Sequence, residues 1–310
     1  MATGPSLIGH RPLFEKSNIE LTNSLRTTFA SAKSIIQTRS KHQVDGLSSL
    51  SAPANTTGTT HPWTSTSAST LSIPSSPFTA SPLTEERSSY DITVKLFFLP
   101  SAHADAQSRT AHAQEALRLV LDILEAPRID LLIVSFPGIS FDADDDPDSE
   151  TPESMPPLKR TLTAEDRLVD SVTQTWHSIE ELHSKGLVSA LGVAEFGSER
   201  LERFLPLTKI RPSVDQINVR DCCVVPKTLI LYAKDQGIQL LTHNDCTDIL
   251  PRGTVREILE DVFRDDDAAA TAWLQNDITP QWVVKYTAVV RDRGVIENKG
   301  YFAMAEVHSI

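Results

Sequence analysis

Cysteine, basic charge and long apolar runs are all scarce in this chain, and each shortage excludes a class of protein. Three cysteines among 310 residues are too few for a disulfide framework, so we expect reduced thiols. The 29 basic residues are outnumbered by 41 acidic ones, and the net charge of −12 disfavours nucleic acids and anionic membranes as partners. No apolar run approaches the roughly 18 residues of a membrane-spanning helix, and the first residues do not resemble a secretory signal. We therefore expect a cytoplasmic protein.

A tract over residues 48–82 is dominated by serine, threonine and proline. This composition buries too little apolar area to offset the entropy lost on ordering, so we expect disorder there. Before the tract, apolar side chains at Leu21, Leu25 and Phe29 fall at helical spacing. That spacing predicts a helix over residues 13–42.

Strands and helices alternate along the chain after this tract. We predict strands at 92–99, 129–136, 187–193, 214–219 and 238–242, and helices at 113–124, 168–182, 226–236, 255–262 and 282–293. Repeated βα units with short links indicate a parallel sheet. Their number favours a closed (β/α)8 barrel over an open dinucleotide-binding sheet. No G-x-G-x-x-G follows a predicted strand, which also weighs against the open sheet.

Neither the cysteines nor an acidic loop predicts a metal site. Cys222 and Cys223 are adjacent, which prevents good zinc geometry, and there is no second pair. The acidic loop matches part of the calcium spacing of an EF-hand, but Pro147 stands where such a loop needs glycine. The matching positions are Asp142, Asp144, Asp146 and Glu153. A solvated run of charge is the better interpretation.

Two predicted loops, after the strands at 214–219 and 238–242, carry residues that fit more than one role. Cys222 and Cys223 lie in the first loop, where they are either ordinary thiols or a redox-sensitive contact that forms a disulfide with a partner. His243, Asn244 and Asp245 end the next strand, where barrels carry their active sites. Equally, Asn244 and Asp245 suit the hydrogen bonds of a turn.

Four segments resemble the aldo-keto reductases, a family of TIM barrels that use NADPH. Residues 130–137 (DLLIVSFP) resemble its D-L-Y-L-I-H-W-P strand, and residues 186–196 (GLVSALGVAEF) resemble G-K-V-R-A-I-G-V-S-N-F. Residues 212–218 (PSVDQIN) resemble P-A-V-N-Q-V-E, and residues 232–242 resemble the next helix and strand. The resemblance covers residues 92–300 and implies an α/β, (β/α)8 TIM-barrel-like fold.

The catalytic residues that this family implies are incomplete here. The family reduces carbonyls with a tyrosine acid assisted by lysine, aspartate and histidine. By resemblance, Lys95 takes the lysine position and Ser135 the histidine position. Tyr90 lies too near Lys95 in sequence to be the acid, so a carbonyl would lack its proton donor. Lys95 and Ser135 are therefore interpreted as vestigial, and a buried Lys95 would require a partner for its charge.

The positions that hold NADPH in the family also differ in this chain. Ala194 and Glu195 replace the Ser-Asn pair that binds the carboxamide, and His243 replaces the stacking tyrosine. Gln216 matches, and Lys299 takes the position of the phosphate-binding lysine. The chain ends before the helix that supplies the family's remaining Arg and Asn. We predict no cofactor and no tight binding of NADPH.

Longer strings resemble the regulatory (modifier, light-chain) subunits of glutamate–cysteine ligase. The matching residues are 213–226, 238–245 and 293–301, with weaker matches at 16–19 and 95–97. That family consists of non-catalytic barrels that form a heterodimer with the ligase catalytic subunit in glutathione biosynthesis. The resemblance implies better use of glutamate and relief of feedback inhibition by glutathione. It divides the chain into an N-terminal strand and helix segment (1–47), a disordered insertion (48–89) and the barrel (90–310).

We therefore predict a regulatory subunit and not an enzyme. The predicted partner contacts are Cys222, Cys223, His243, Asn244 and Asp245, and any intersubunit disulfide would use one of these cysteines or Cys246. Two alternatives stay open. One is a divergent NADPH-dependent carbonyl reductase, and the other is a barrel that senses a small metabolite.

Overall fold

The structure, a computed structural model, describes residues 17–44, 64–67, 69–74, 82–100, 102, 105–139, 164–218, 225–246, 248–264 and 271–308. The Cys222–Cys223 pair and the acidic loop around Pro147 lie outside the described residues. Their predicted roles therefore stay predictions.

A seven-stranded mixed sheet forms the centre of the described part of the molecule. The strands are β1 (Ser65–Ser67), β2 (Thr70–Ser72), β3 (Tyr90–Phe98), β4 (Ile129–Ser135), β5 (Val188–Ala194), β6 (Val214–Asn218), β7 (Gln239–His243), β8 (Asp277–Val290) and β9 (Val295–His308). Strands β1 and β2 pair separately, and the sheet runs in the order β7, β6, β5, β4, β3, β8, β9. Strands β3 to β7 pair in parallel, whereas β8 is antiparallel to both β3 and β9.

The predicted α/β class is confirmed, because a helix follows each parallel strand. The helices are α1 (Ser17–Val44), α2 (Ala106–Leu124), α3 (Ala164–Ser184), α4 (Ser198–Phe204), α5 (Lys227–Gln236) and α6 (Thr254–Phe263). Gly186 and Gly237 follow the ends of α3 and α5 with φ of 74° and 70°. This left-handed backbone, which glycine adopts without steric cost, ends the helices where the sequence predicts.

The last predicted βα unit differs from the structure. Residues 282–293, predicted as a helix, belong to β8 and to the turn that leads into β9. This segment is rich in valine, threonine and aromatic residues, which favour a pleated and half-buried strand. Because β8 pairs antiparallel with β3, it does not add another parallel unit. Within the described ranges no pairing joins β7 to β9, and the antiparallel pair β8 and β9 follows the parallel strands of this barrel-like α/β fold.

Different helices cover the two faces of the sheet. One face packs against α2, α3, α4 and α5 in a large apolar core that includes Trp176. The other face packs against α1 and α6 in a second core, which includes Leu25, Phe97 and Ile258. We call this second face the α1 face. Because side chains alternate along a strand, Lys95 shares the α1 face with Phe97.

Helix α1 packs against this face through the predicted apolar stripe. Leu21, Leu25 and Phe29 are fully buried in the second core. Glu20 adds polar contacts to β9: its carboxylate lies 2.5 Å from Lys299 Nζ and accepts a 2.9 Å hydrogen bond from the Tyr301 hydroxyl. The N-terminal turn of α1 is therefore held against the sheet by charge as well as by apolar contact.

Part of the tract predicted to be disordered is ordered in the structure. Strands β1 and β2 form an antiparallel hairpin, and the adjacent Ile73 is buried in the same core as α1. Of the insertion predicted to be disordered (48–89), the structure describes residues 64–67, 69–74 and 82–89, and at these residues it differs from the prediction. Here tertiary contact with α1 and α6 supplies apolar partners that the composition of the tract does not reveal.

Candidate functional site

Six polar side chains meet on the α1 face, near the carboxyl ends of the parallel strands. They are Lys95 of β3, Glu195 after β5, Asn218 of β6, His243 of β7, Asp245 just beyond β7, and Lys285 of β8. We call these residues the polar cluster. Open and closed parallel sheets alike place ligand and catalytic sites at this edge. The cluster is therefore the candidate functional site.

A carboxylate between two lysines forms the centre of the polar cluster. Asp245 Oδ2 accepts a 2.9 Å hydrogen bond from Lys95 Nζ, and Asp245 Oδ1 accepts a 3.0 Å bond from Lys285 Nζ. The two lysines stand directly opposite each other in the β3–β8 register, where like charges repel. Asp245 offsets this repulsion, and the Phe97 ring, 5.0 Å from Lys95 Nζ, adds a cation–π contact.

Burial and pairing act in opposite directions on these groups. Burial lowers the pKa of Lys95, and the neighbouring Asp245 carboxylate only partly restores it. Burial alone would raise the pKa of Asp245, but the charges of Lys95 and Lys285 outweigh it and hold that pKa well below its ordinary value. Asp245 is therefore a permanent anion near neutral pH. Removing either partner would leave an uncompensated buried charge.

A histidine and a second carboxylate extend the polar cluster toward β5 and β6. His243 Nδ1 accepts a 3.0 Å hydrogen bond from the Asp245 backbone N–H, which leaves the ring proton on Nε2. His243 Nε2 lies 2.6 Å from Glu195 Oε1, and Glu195 Oε2 accepts a 3.3 Å bond from the Asn218 backbone N–H. The Asn218 side chain donates to the Asp245 carbonyl at 3.0 Å. The polar cluster therefore contains two lysines and two carboxylates in contact with one another or with His243.

Glu195 occupies an uncommon backbone conformation for a side-chain-bearing residue. Its φ is 66°, in the left-handed region. Hydrogen bonds from the Glu195 N–H to the Gln216 carbonyl and from Arg200 to the Glu195 carbonyl hold this conformation. Such a strained backbone conformation is kept when several surrounding contacts hold it in place. It directs the Glu195 carboxylate toward His243.

A third buried carboxyl group, in addition to those of Asp245 and Glu195, lies beside the polar cluster. Asp215 of β6 is fully buried, and its Oδ1 accepts a 3.3 Å hydrogen bond from the Phe196 N–H. Burial raises the pKa of Asp215 well above its ordinary value, and the nearby charge of Glu195 adds to this effect. Asp215 is therefore biased toward the protonated form, in contrast to Asp245.

Helix α1 adjoins the polar cluster through the segment that follows Asp245. The Cys246 backbone N–H donates a 3.0 Å hydrogen bond to the hydroxyl of Ser17, the first residue of α1. Ser17 is itself buried. The first turn of α1 thus packs where an open cleft for a substrate would be expected on this sheet.

The structure places the two positions interpreted as vestigial on one face of the sheet and the four tyrosines at other positions of the fold. Lys95 and Ser135 share the α1 face, and the partner required by buried Lys95 is Asp245. Tyr90 begins β3, toward the opposite end of the strand, and its hydroxyl donates to Glu297 at 2.7 Å. The chain has three other tyrosines. Tyr286 lies in the core on the other face, Tyr232 lies on α5, and Tyr301 donates to Glu20.

The structure separates the predicted cofactor positions into two groups. Ala194 and Gln216 stand opposite each other in the β5–β6 register, next to Glu195 and His243. Lys299 lies on β9, at the far edge of the sheet, where it pairs with Glu20. Among the described residues, no group of histidine, cysteine and acidic side chains could hold a metal ion.

The predicted partner contacts divide by exposure. The side chains of His243 and Asp245 are buried in the polar cluster, whereas Asn244 between them is exposed. Cys246 is half-buried and has a free thiol. The role of these residues in binding a partner stays a prediction.

Sequence reasoning missed Lys285 and Asn218 as members of the polar cluster, and Glu20 as the partner of Lys299. Lys285 was hidden by the wrong helix at 282–293. Strand propensity and period-2 alternation in that segment were signals that could have found it. Glu20 had no signal, because its contacts with β9 join residues 281 positions apart.

Comparison with known proteins places these features in context. The model of the family described as "Aldo/keto reductase family" matches residues 78–248 of this chain. The glutamate–cysteine ligase regulatory subunits of Mus musculus and Homo sapiens are each 26% identical over 222 residues, which cover 72% of this chain and 68% of theirs. Deoxymugineic acid synthase 1-B of Triticum aestivum is 32% identical over 131 residues, covering 42% of this chain and 37% of its own.

Solved structures with local similarity are also aldo-keto reductases. An aldo-keto reductase of the silkworm Bombyx mori is 21% identical with a TM-score of 0.32, covering 47% of this chain and 37% of that chain. The aldose reductase of Giardia lamblia is 23% identical with a TM-score of 0.31, covering 48% and 43%. This chain therefore spans less than half of each solved structure. No helix among the described residues is long and apolar enough to cross a membrane.

Proposed function

We propose, from the premise that this chain belongs to the aldo/keto reductase family, that it is a non-catalytic regulatory subunit of glutamate–cysteine ligase. In this role it binds and activates the ligase catalytic subunit in the cytoplasm as a heterodimer. The relatives that match most of this chain carry the name of that regulatory subunit. The structural observation that carries the proposal is the use of Asp245 to neutralise both Lys95 and Lys285.

The polar cluster supports this proposal because its charged groups already have partners within the chain. Carbonyl reduction needs an acid within hydrogen-bond reach of the substrate oxygen. A lysine assists such an acid when its ammonium faces the reacting group, but here Lys95 faces Asp245. The hydroxyls of Tyr90 and Tyr301 are engaged by Glu297 and Glu20. We infer that a carbonyl placed here would receive no proton.

The contacts of Glu195 and Lys299 within the chain also disfavour tight NADPH binding. Glu195 adds a carboxylate where the family binds the nicotinamide carboxamide, and this carboxylate is directed to His243. Lys299, the matching phosphate-binding position, lies 2.5 Å from Glu20. A cofactor phosphate would have to displace that carboxylate. We propose that this chain uses its barrel-derived sheet as a scaffold and binds no cofactor.

A regulatory subunit without chemistry of its own acts by binding one state of its partner better than another. The resulting shift cannot exceed the difference in its affinity for the two states. We propose that the contact lies in the loops after β6 and β7, where Cys222, Cys223 and Asn244 would meet the partner. His243 and Asp245, being buried, would fix the second loop from inside.

Co-expression with the ligase catalytic subunit tests the proposal. The expected result is co-purification in a 1:1 complex and a lower KM for glutamate than the catalytic subunit shows alone. An Asn244→Arg variant should weaken the complex, whereas Asn23→Arg on α1 serves as a control outside the proposed contact. Failure of the two chains to associate, together with unchanged kinetics, would overturn the proposal.

The reductase alternative has its own measurement. Fluorescence titration with NADPH should show no saturable binding in the micromolar range. Turnover of an aldehyde by the purified chain, lost in Lys95→Met, would identify it as an enzyme and contradict the regulatory role.

A further inference from the structure

A cleft lies at the opposite end of the sheet from the polar cluster, at the amino-terminal ends of the parallel strands. It is formed where the chain enters β3, β4 and β5 and where it leaves β8. Its volume is 520 Å³, within the range of cavities that hold small metabolites. Its walls are Arg87, Ser88, Pro127, Arg128, Asp130, Gly186 and Arg291. We call it the arginine cleft.

One arginine of the cleft is held rigidly by the surrounding backbone. Arg87 Nε donates to the Arg128 carbonyl at 2.9 Å, Arg87 Nη1 to the Tyr90 carbonyl at 3.0 Å, and Arg87 Nη2 to Asp130 Oδ2 at 2.7 Å. Asp130 also accepts the Ile92 N–H at 2.7 Å. The base of the cleft is therefore a fixed guanidinium–carboxylate pair that links the starts of β3 and β4.

The other two arginines are available to a ligand. Arg291 Nη2 contacts Asp91 Oδ1 at 2.8 Å and Asp130 Oδ1 at 3.5 Å, and both Arg291 and Asp91 are about half exposed. Exposed pairs of this kind contribute little stability and exchange readily with a stronger anion. Arg128 is exposed, and its guanidinium makes no hydrogen bond or ion pair with any described residue. Ser88, which also lines the cleft, is exposed as well.

Three arginines and one aspartate line the cleft, a sum of +2, and including Asp91, which pairs with Arg291, leaves +1 in a chain whose net charge is −12. Guanidinium groups bind phosphate oxygens in pairs of parallel hydrogen bonds, and a phosphate monoester carries about −1.5 to −2 at neutral pH. Four chain segments enclose the cleft, so it suits a small molecule better than a folded surface. We propose that the arginine cleft binds the phosphate group of a small metabolite.

Calorimetric titration of the full chain tests this site with inorganic phosphate and with glycerol 3-phosphate at constant ionic strength. We expect saturable binding of both. Arg128→Gln should weaken that binding about tenfold, since it removes a charge-assisted pair of hydrogen bonds. Because Arg128 has no described partner, this variant should fold and unfold like the parent chain.

Arg118→Gln is the matched control. It also removes an arginine, but from the exposed surface of α2, where Arg118 pairs with Glu115 and Asp122. Phosphate affinity should stay within about twofold. Absence of saturable binding would overturn the proposal, as would equal losses in the two variants. Succinate binding as tightly as phosphate would overturn the assignment to phosphate. Binding here requires no partner chain, so its failure would leave the regulatory proposal untouched.

Discussion

The two ends of the central strands hold charged side chains under opposite conditions. In the polar cluster, Lys95 and Asp245 are 5% and 4% exposed, and two lysines are matched by two carboxylates. In the arginine cleft, Arg128 is exposed and cations exceed anions. A buried charge requires a partner within the protein, whereas a solvated charge is stabilised by water until a ligand replaces it.

Charged side chains that are paired inside the protein serve its stability, whereas exposed ones remain able to bind a ligand. The edge where related barrels carry their chemistry is closed by internal pairing and by α1. The opposite edge, which such folds use mainly for stability, keeps one exposed arginine, Arg128, whose guanidinium pairs with no described residue. Position at the carboxyl end of a sheet is therefore not sufficient to identify a site, and the state of its charges has to be examined.

The largest expected effect comes from removing the shared carboxylate. Asp245→Asn leaves the ammonium groups of Lys95 and Lys285 facing each other in a buried site. The free energy of unfolding should fall by about 3–5 kcal/mol, measured by urea denaturation at neutral pH. The control Asp122→Asn breaks an exposed pair with Arg118 and should cost less than about 1 kcal/mol. If both variants lost only a little stability, the buried pairs of Asp245 would contribute no more than an exposed pair does.

A pH series on Asp215 tests whether burial without a cationic partner raises the pKa of a carboxyl group, in contrast to the lowered pKa of Asp245. Burial raises the pKa of Asp215, so the folded chain binds this proton more tightly than the unfolded chain. Its contribution to stability is therefore present at low pH and is lost as pH rises from about 4 toward the folded pKa.

Asp215→Asn mimics the protonated carboxyl at every pH. The free energy of unfolding of the parent, minus that of the variant, should fall with rising pH by up to about 1.4 kcal/mol per unit. Urea denaturation at several pH values between 4 and 8 measures this difference. A constant difference would show that Asp215 is ionised in the folded chain.

A smaller effect is expected from weakening the contacts that hold α1 over the polar cluster. Glu20→Gln removes the ion pair with Lys299 while keeping an acceptor for Tyr301, at a cost of about 1–2 kcal/mol. The variant should also loosen Ser17, whose hydroxyl holds the Cys246 backbone. In a background without Cys222 and Cys223, the Cys246 thiol should therefore react faster with a disulfide reagent than it does with Glu20 in place. An unchanged rate would mean that Glu20 does not hold α1 in place.

The arginine cleft contains the smallest expected effect, at Arg128, beside a moderate one at Arg87. Arg87→Gln breaks bonds to Asp130 and to two carbonyls, and should lower the free energy of unfolding by about 1–2 kcal/mol. Arg128→Gln should change it by less than about 0.5 kcal/mol, as expected for an exposed side chain without a partner. Thermal and urea unfolding measure both, and a large loss in Arg128→Gln would show that its charge is structural.

Local pattern predicted much of the fold and part of the site. The strands at 92–99, 129–136 and 187–193 and the apolar stripe of α1 follow from periodicity, because burial of one face imposes it. The need of Lys95 for a partner also follows from elementary electrostatics. The identity of that partner does not, since Asp245 is 150 positions away in the chain.

Two errors share a physical cause. The helix predicted at 282–293 is wrong because the valines and aromatic residues of this segment favour a strand that two neighbours can bury. Likewise, Ile73 lies in a polar tract that lacks an apolar pattern of its own, yet it is buried by α1 and α6. In both places, contacts distant in sequence supply the stabilising partner.

The amino-acid pattern predicts an acidic α/β chain with parallel strands and, by resemblance, a lysine at the position of the reductase lysine. The folded chain shows that this lysine shares a carboxylate with Lys285, that α1 packs over the strand ends, and that three arginines line a cleft at the other end. The physical reason is that periodicity records burial, which is local to each element. Charge compensation instead depends on distances between elements, and folding alone sets those distances.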